Sequence, residues 1–157
     1  MNVSEFESLR KEEIELMVNA PIYVAILIAG ADGKIDQNER KEAIEIARSK
    51  QSRAREQLIE YYKLVGERFE EKFNAFIDKF PDDVNERKMD IEHELKKLNL
   101  ILPKIDRVFA IKFYASLKEL AKKIAESSGG VLGYLTVSYE EQQLIDLPMI
   151  NNPEKVF

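Results

Sequence analysis

The chain has 157 residues and a formal net charge of −5, a length that fits one domain able to bury roughly two-thirds of the surface its unfolded chain exposes. With 45% apolar and 34% charged residues it reads as a globular protein, and its acidic balance argues against a general nucleic-acid binder, which needs surplus positive charge. Cysteine is absent, which excludes disulfides, thiol catalysis, zinc fingers and iron–sulfur clusters and fits a reducing cytoplasm.

Ser4 followed by Glu7 has the spacing of a capping box, in which a hydroxyl caps first-turn amides and a glutamate reaches back. Phe6, Leu9, Ile14, Leu16 and Met17 form an apolar stripe behind it. The first residues carry no apolar signal-peptide core, so a cytoplasmic location is expected. Pro21 suits the first turn of a second helix, where no amide partner is lost. Ile22, Tyr23, Val24, Ile26, Leu27 and Ile28 cover nearly all sides of that helix, as befits the centre of a core. The longest apolar run, residues 20–31, is shorter than the ~20 residues of a bilayer span, so no membrane insertion is expected.

Asp36 and Glu39 repeat the capping spacing and open a helix to about Lys50, with Ala43, Ile44, Ile46 and Ala47 on its buried face. Arg48, Lys50, Arg53 and Arg55 form a run of cations without an acid, read as a helix C-terminus and linker that offset the helix dipole. A long helix over residues 54–79 carries Leu58, Ile59, Tyr62, Val65, Phe69, Phe73, Phe76 and Ile77, and Pro81 ends it. Asp83 and Glu86 cap the next, which presents Met89, Ile91, Leu95 and Leu98. Beyond Pro103 another helix presents Ile105, Val108, Phe109, Ile111, Phe113, Leu117, Leu120, Ala121 and Ile124. Ser127-Ser128-Gly129-Gly130 stops it, glycine supplying the helix-end geometry. Residues 131–137 form an apolar loop, and Ser138 with Glu141 opens a short helix that Pro148 ends. No alternating segment is long enough for a strand. The expectation is an all-α, single-domain bundle of about seven helices over residues 1–157.

The turn after the apolar helix reads "AGADGKIDQNER" and half fits a calcium-loop register. With Gly33 at position 6, Asp32 is 5, Ile35 is 8, Asp36 is 9 and Glu39 is 12, but positions 1 and 3 become Ile28 and Gly30, which offer no side-chain oxygen. That argues against an ordinary EF-hand. A ligand-free reading explains most of the motif: Gly33 allows a tight turn, Asp36 and Glu39 form the cap, and Ile35 staples into the core. Asp32 alone is left over. Lys34 or Arg40 would then compensate the three acids within the chain.

The chain also resembles itself. Ile28-Ala29, a turn and Ile35-Asp36-Gln37-Asn38-Glu39 is matched by Ile124-Ala125, a longer turn and Val137-Ser138-Tyr139-Glu140-Glu141. A degenerate duplication would bring the two turns together by pseudo-symmetry.

The stretch "AILIAGADGKIDQNERKEAIEIA" closely resembles the first motif of TerB-like proteins, the tellurite-resistance family, and "AKKIAESSGGVLGYLTVSYEEQQLI" is similar to a second motif of relatives with a Ser-Gly-Gly loop. The resemblance covers about residues 15–148. It implies an all-helical fold built on a duplicated unit, a link to stress response, and an acidic patch proposed to bind metal. On this chain that patch maps to Asp32, Asp36, Glu39 and Glu141. Tyr134, Leu135 and Ser138 stand where the full second motif places two acids and a glycine, which leaves the site lopsided.

Other chemistry is sparse. His93 is the sole histidine, and with Asp90, Glu94 and Lys97 it shares a helix face read as solvated and ion-paired. Ser127 to Gly130 lacks the ending of a P-loop. Phe69, Phe73, Phe76 and Phe80 recur at helical spacing, as core or as a partner groove. The expectation is a non-enzymatic TerB-like module engaging a protein partner through an acidic or aromatic surface. It requires no cofactor and binds Ca²⁺, Mg²⁺ or Mn²⁺ weakly at the acidic turn. The alternatives are a carboxylate-based, metal-dependent enzyme with Asp32 or Glu39 as general base, and a purely structural helical scaffold.

Overall fold

In the computed structural model, which describes residues 3–31, 33, 35–52, 56–128 and 139–156, every regular element among the described residues is helical. The helices are α1 (Lys11–Ala29), α2 (Gln37–Ser52), α3 (Ile59–Gly66), α4 (Phe69–Lys79), α5 (Val84–Lys96), α6 (Leu98–Ile101), α7 (Arg107–Ser128), α8 (Tyr139–Leu144) and α9 (Pro153–Val156). Single 3-10 turns lie at Ser4–Phe6, Glu56–Leu58 and Leu102–Lys104. This is the all-α bundle expected from the pattern. The loop expected at 131–137, its cap Ser138, and the side chains of Arg53, Arg55 and Glu141 lie outside the described residues, as do Asp32, Lys34, Gly129 and Gly130.

The first helix departs from expectation at both of its signals. Ser4 sits inside the Ser4–Phe6 turn, its hydroxyl 3.1 Å from Glu5 Oε2, and does not form the expected box with Glu7. Instead Glu13 Oε1 accepts the Arg10 amide at 2.9 Å where α1 begins. Nor does Pro21 open a helix: α1 runs through it, and every residue from Met17 to Ala29 is buried. An interior proline has no N–H to give the carbonyl four residues earlier, which here is Met17. Tyr61 supplies the donor, its hydroxyl 2.6 Å from Met17 O, with both residues fully buried. The local signal for a helix start is overridden because another part of the chain satisfies the orphaned carbonyl.

Around α1 the other helices form a shell, with α2, α3, α4, α5, α6, α7 and α8 all packing on it. α7 is the second axis, packing on α1, α2, α8 and α9. Where α1, α3 and α7 meet, Tyr61 makes edge-on ring contacts with Phe6, Tyr62, Phe109 and Phe113, an arrangement that suits the ring quadrupoles. The Tyr62 hydroxyl is hydrogen-bonded to Ser116 of α7.

The single helix expected over 54–79 is divided into α3 and α4. It breaks at Gly66–Arg68, where Arg68 leaves helical geometry at φ −133°, ψ 21°, beside a glycine that disfavours continuation. Of the phenylalanine series, Phe69 and Phe73 are buried core, while Phe76 and Phe80 are half-buried against it, Phe76 stacking on Tyr23 at 5.2 Å between centroids. Two aspartates cap as their positions require, Asp83 Oδ2 accepting from the Glu86 amide and Asp106 Oδ2 from the Phe109 amide, each at 2.9 Å. Ile59, Met89 and Val108, expected on core stripes, are exposed: helical spacing puts Ile59 at the flank of its buried stripe and turns Met89 and Val108 to the opposite face. The His93 face is solvated as expected, with Lys97 Nζ 2.6 Å from Glu94. No described helix is long and apolar enough to cross a membrane.

One charge pair has a pH signature. Glu13 is buried, with Lys104 Nζ 2.7 Å from Oε2. The hydrogen bond from Lys104, helped by the Arg10 amide, lowers its carboxyl from the ordinary 4.5 to about 2. A depressed carboxyl contributes stability above its unfolded-state value and loses it as pH falls. Glu13→Gln should therefore melt below wild type near neutral pH, and the gap should close as pH falls from 4.5 to about 2. Thermal unfolding across that range checks it.

Candidate functional site

The turn between α1 and α2 is fastened at both ends. On the α1 side the helix closes with Gly30 N–H on Ile26 O at 2.9 Å, and Gly33 N–H folds back on Gly30 O at 3.2 Å. Gly33 has φ +152°, a conformation that favours glycine. Gly30 is needed for a different reason. A Cβ there would lie 2.6 Å from Arg87 Nη2.

Arg87, from the first turns of α5, is the residue that organises the turn. Its Nη2 donates to Gly30 O at 2.7 Å and to Gly33 O at 2.6 Å, while Nη1 reaches Asp82 O at 3.4 Å. The side chain is buried. Burial lowers its pKa, and the neighbouring carboxylates of Asp82 and Asp83 oppose that shift. The guanidinium stays charged, adds a second donor to Gly30 O beside the Gly33 amide, and supplies one to Gly33 O.

On the α2 side the expected box is present. Asp36 Oδ1 accepts the Glu39 amide at 2.8 Å and Glu39 Oε1 accepts the Asp36 amide at 3.1 Å. Ile35 is buried beside it. Arg40, expected to compensate the acids, reaches instead toward α4, Nη1 lying 3.4 Å from Asn74 Oδ1 and Nη2 3.8 Å from Asp78 Oδ1. Its Nε is buried with no hydrogen-bond partner among the described residues. Among the described residues the cation that reaches the turn is Arg87.

Of the four residues assigned to the acidic patch, Asp36 and Glu39 are thus brought together by their mutual cap. Asp32 and the Glu141 side chain lie outside the described residues. The backbone of α8, which contains Glu141, packs on α1 and α7. Leu144 of α8 joins Leu27, Gly30, Ala31 and Arg87 around a cavity of about 10 Å³, the size of a single water. The second motif's helix therefore reaches the first motif's turn. Among the described residues no cluster of three or more acidic or histidine side chains is arranged to hold a metal.

Arg87 was missed in the sequence because it sits in a charged run, "NERKMDIEHELKK". A signal was present nonetheless. Arg87, Ile91 and Leu95 fall at successive intervals of four, and the latter two are fully buried, which places a guanidinium on the apolar stripe.

Compared with known proteins, the chain matches no family model, no curated protein and no solved structure.

Substitutions at two positions test this arrangement. Arg87→Met keeps a long stem but removes the donors, and should cost ~1–3 kcal/mol by taking the guanidinium from Gly33 O and leaving Gly30 O with the Gly33 amide alone, with faster amide exchange in the turn. Asp36→Ala should cost ~1 kcal/mol and Asp36→Asn clearly less, since asparagine keeps an acceptor for the Glu39 amide. Denaturant unfolding and hydrogen exchange provide the readouts.

Proposed function

We propose that the chain is a non-enzymatic, TerB-like helical module that acts by presenting the α1–α2 turn as an acidic binding surface. A protein partner engages that surface, and a hard divalent cation is held there weakly. The observation that supports this reading is the double hydrogen bond from Arg87 to Gly30 O and Gly33 O. It fixes the turn without an external ligand and takes two backbone oxygens of the kind calcium uses. It also sets a permanent positive charge beneath the turn. In this reading Asp32 is the principal cation ligand, supported by Asp36, Glu39, Glu141 and water. Oxygen donors favour calcium, magnesium or manganese over zinc or copper.

A site already carrying an internal cation should bind weakly, on the order of 10⁻⁴ to 10⁻³ M. The test is an amide-resolved NMR titration with calcium on wild type, Asp32→Ala and Glu39→Ala. Saturable shifts confined to the turn and the start of α2, and lost in both variants, support the reading. No shift at millimolar calcium removes the cation from it.

A further inference from the structure

We infer that the cleft between α2, α3 and α7 binds a small amphipathic carboxylate, its alkyl tail entering an apolar recess beside Pro21 and its head group meeting Lys50. This site is separate from the α1–α2 turn and does not depend on the function proposed for it.

Two adjoining spaces make up the site. The inner one, about 50 Å³, is lined mostly by apolar side chains, among them Pro21, Ala47, Phe69 and Leu120, and also by Arg48 and Glu70, which pair with each other at 3.4 Å. The outer one, about 510 Å³, is lined by Leu58, Ile111 and Ala115 together with Ser116, Glu119 and Lys123. Lys50 and Tyr62 line both, so they form the junction. Protein interiors are packed to crystal density, and an apolar recess with room beyond one water offers water few hydrogen bonds. An alkyl chain loses nothing by entering it. The polar groups gather where the recess opens: the Lys50 ammonium and the Tyr62–Ser116 hydroxyl pair. A mostly apolar cavity with a few convergent polar groups is the usual construction of a small-molecule site.

The charges select an anion. Among the described residues, Arg48, Lys50, Lys112 and Lys123 line the two spaces with Glu70, Glu119 and Glu154, four cations against three acids in a chain whose net charge is −5. Lys50 is only 8% exposed, a rare position for lysine unless it is paired. Its partner is Glu119, 2.8 Å away, and Glu119 is also held by Lys123 at 3.3 Å. Both lysines depress the Glu119 carboxyl, the hydrogen bond from Lys50 most of all. A ligand carboxylate that takes Lys50 therefore leaves Glu119 with Lys123, and no charge is orphaned. A neutral head group would gain no such exchange.

The experiment is calorimetric titration with octanoate, octanol and acetate, which separates tail from head. Octanoate should bind saturably and more tightly than either control, and hexanoate should bind more weakly by about fourfold for each methylene removed from the recess. Lys50→Met should reduce octanoate affinity at least tenfold to the level of octanol, and leave octanol unchanged. Ala47→Leu, which fills the recess from a helical position, should abolish octanoate binding while the circular dichroism spectrum stays that of wild type. Absence of saturable octanoate binding to wild type overturns the proposal. So does equal octanoate affinity in wild type and the Ala47→Leu protein, whatever Lys50→Met does.

Discussion

A helix buried on every side has no water to satisfy its loose backbone groups, and α1 is such a helix from Met17 to Ala29. Pro21 removes the donor that would serve Met17 O, and the end of the helix exposes Gly30 O to the interior. An unmade buried hydrogen bond costs ~1–3 kcal/mol, so Met17 O requires a donor from elsewhere, and Gly30 O, which the Gly33 amide reaches at 3.2 Å, gains a second. Tyr61 answers the first from α3 and Arg87 answers the second from α5, reaching Gly33 O as well. These bonds fix the position of two neighbouring helices against the central one. They link residues 44 and 57 positions apart in the chain, so the polar demands of one helix specify contacts that apolar packing alone would leave free to slide.

The parts of this fold that could be read from the sequence are those decided within a few residues. The reciprocal cap of Asp36 and Glu39, the Asp83 cap, the stop before Pro81 and the fully buried stretch from Ile22 to Ile28 all follow from spacing and residue type. What could not be read was decided by distant partners. Pro21 carries the signature of a helix start, and only Tyr61 makes it an interior residue. Ser4 has a cap's spacing, but the entry to α1 is set by Glu13, which Lys104 holds from 91 residues away. Gly66 and Arg68 interrupt an apolar pattern that continues in phase on both sides. Arg87 was readable only as a cation out of place on an apolar stripe.

The same logic bears on the site. A turn with the composition of half a calcium loop was expected to balance its acids with Lys34, Arg40 or a metal. Arg40 reaches toward α4, the guanidinium of Arg87 occupies the carbonyls of Gly30 and Gly33, and Asp36 and Glu39 spend hydrogen bonds on each other's amides. Groups that in an open loop would be ligands hold the backbone here. That is why the proposed function rests on a surface and a weak cation rather than on a tight metal centre. Lys50 and Tyr62 show the opposite case, polar side chains buried at the mouth of an apolar recess whose small lining residue, Ala47, leaves space unfilled.

The claim on which this account rests is that Tyr61 replaces the hydrogen bond Pro21 cannot make. A double-mutant cycle in unfolding free energy tests it, using Pro21→Ala, Tyr61→Phe and the pair. In wild type Tyr61→Phe should cost ~1–3 kcal/mol. With alanine at position 21 the backbone amide can serve Met17 O, and Tyr61→Phe should cost clearly less, giving a coupling energy well outside the error of the cycle. An equal loss in both backgrounds would contradict the account and reduce Tyr61 to one more aromatic in the core.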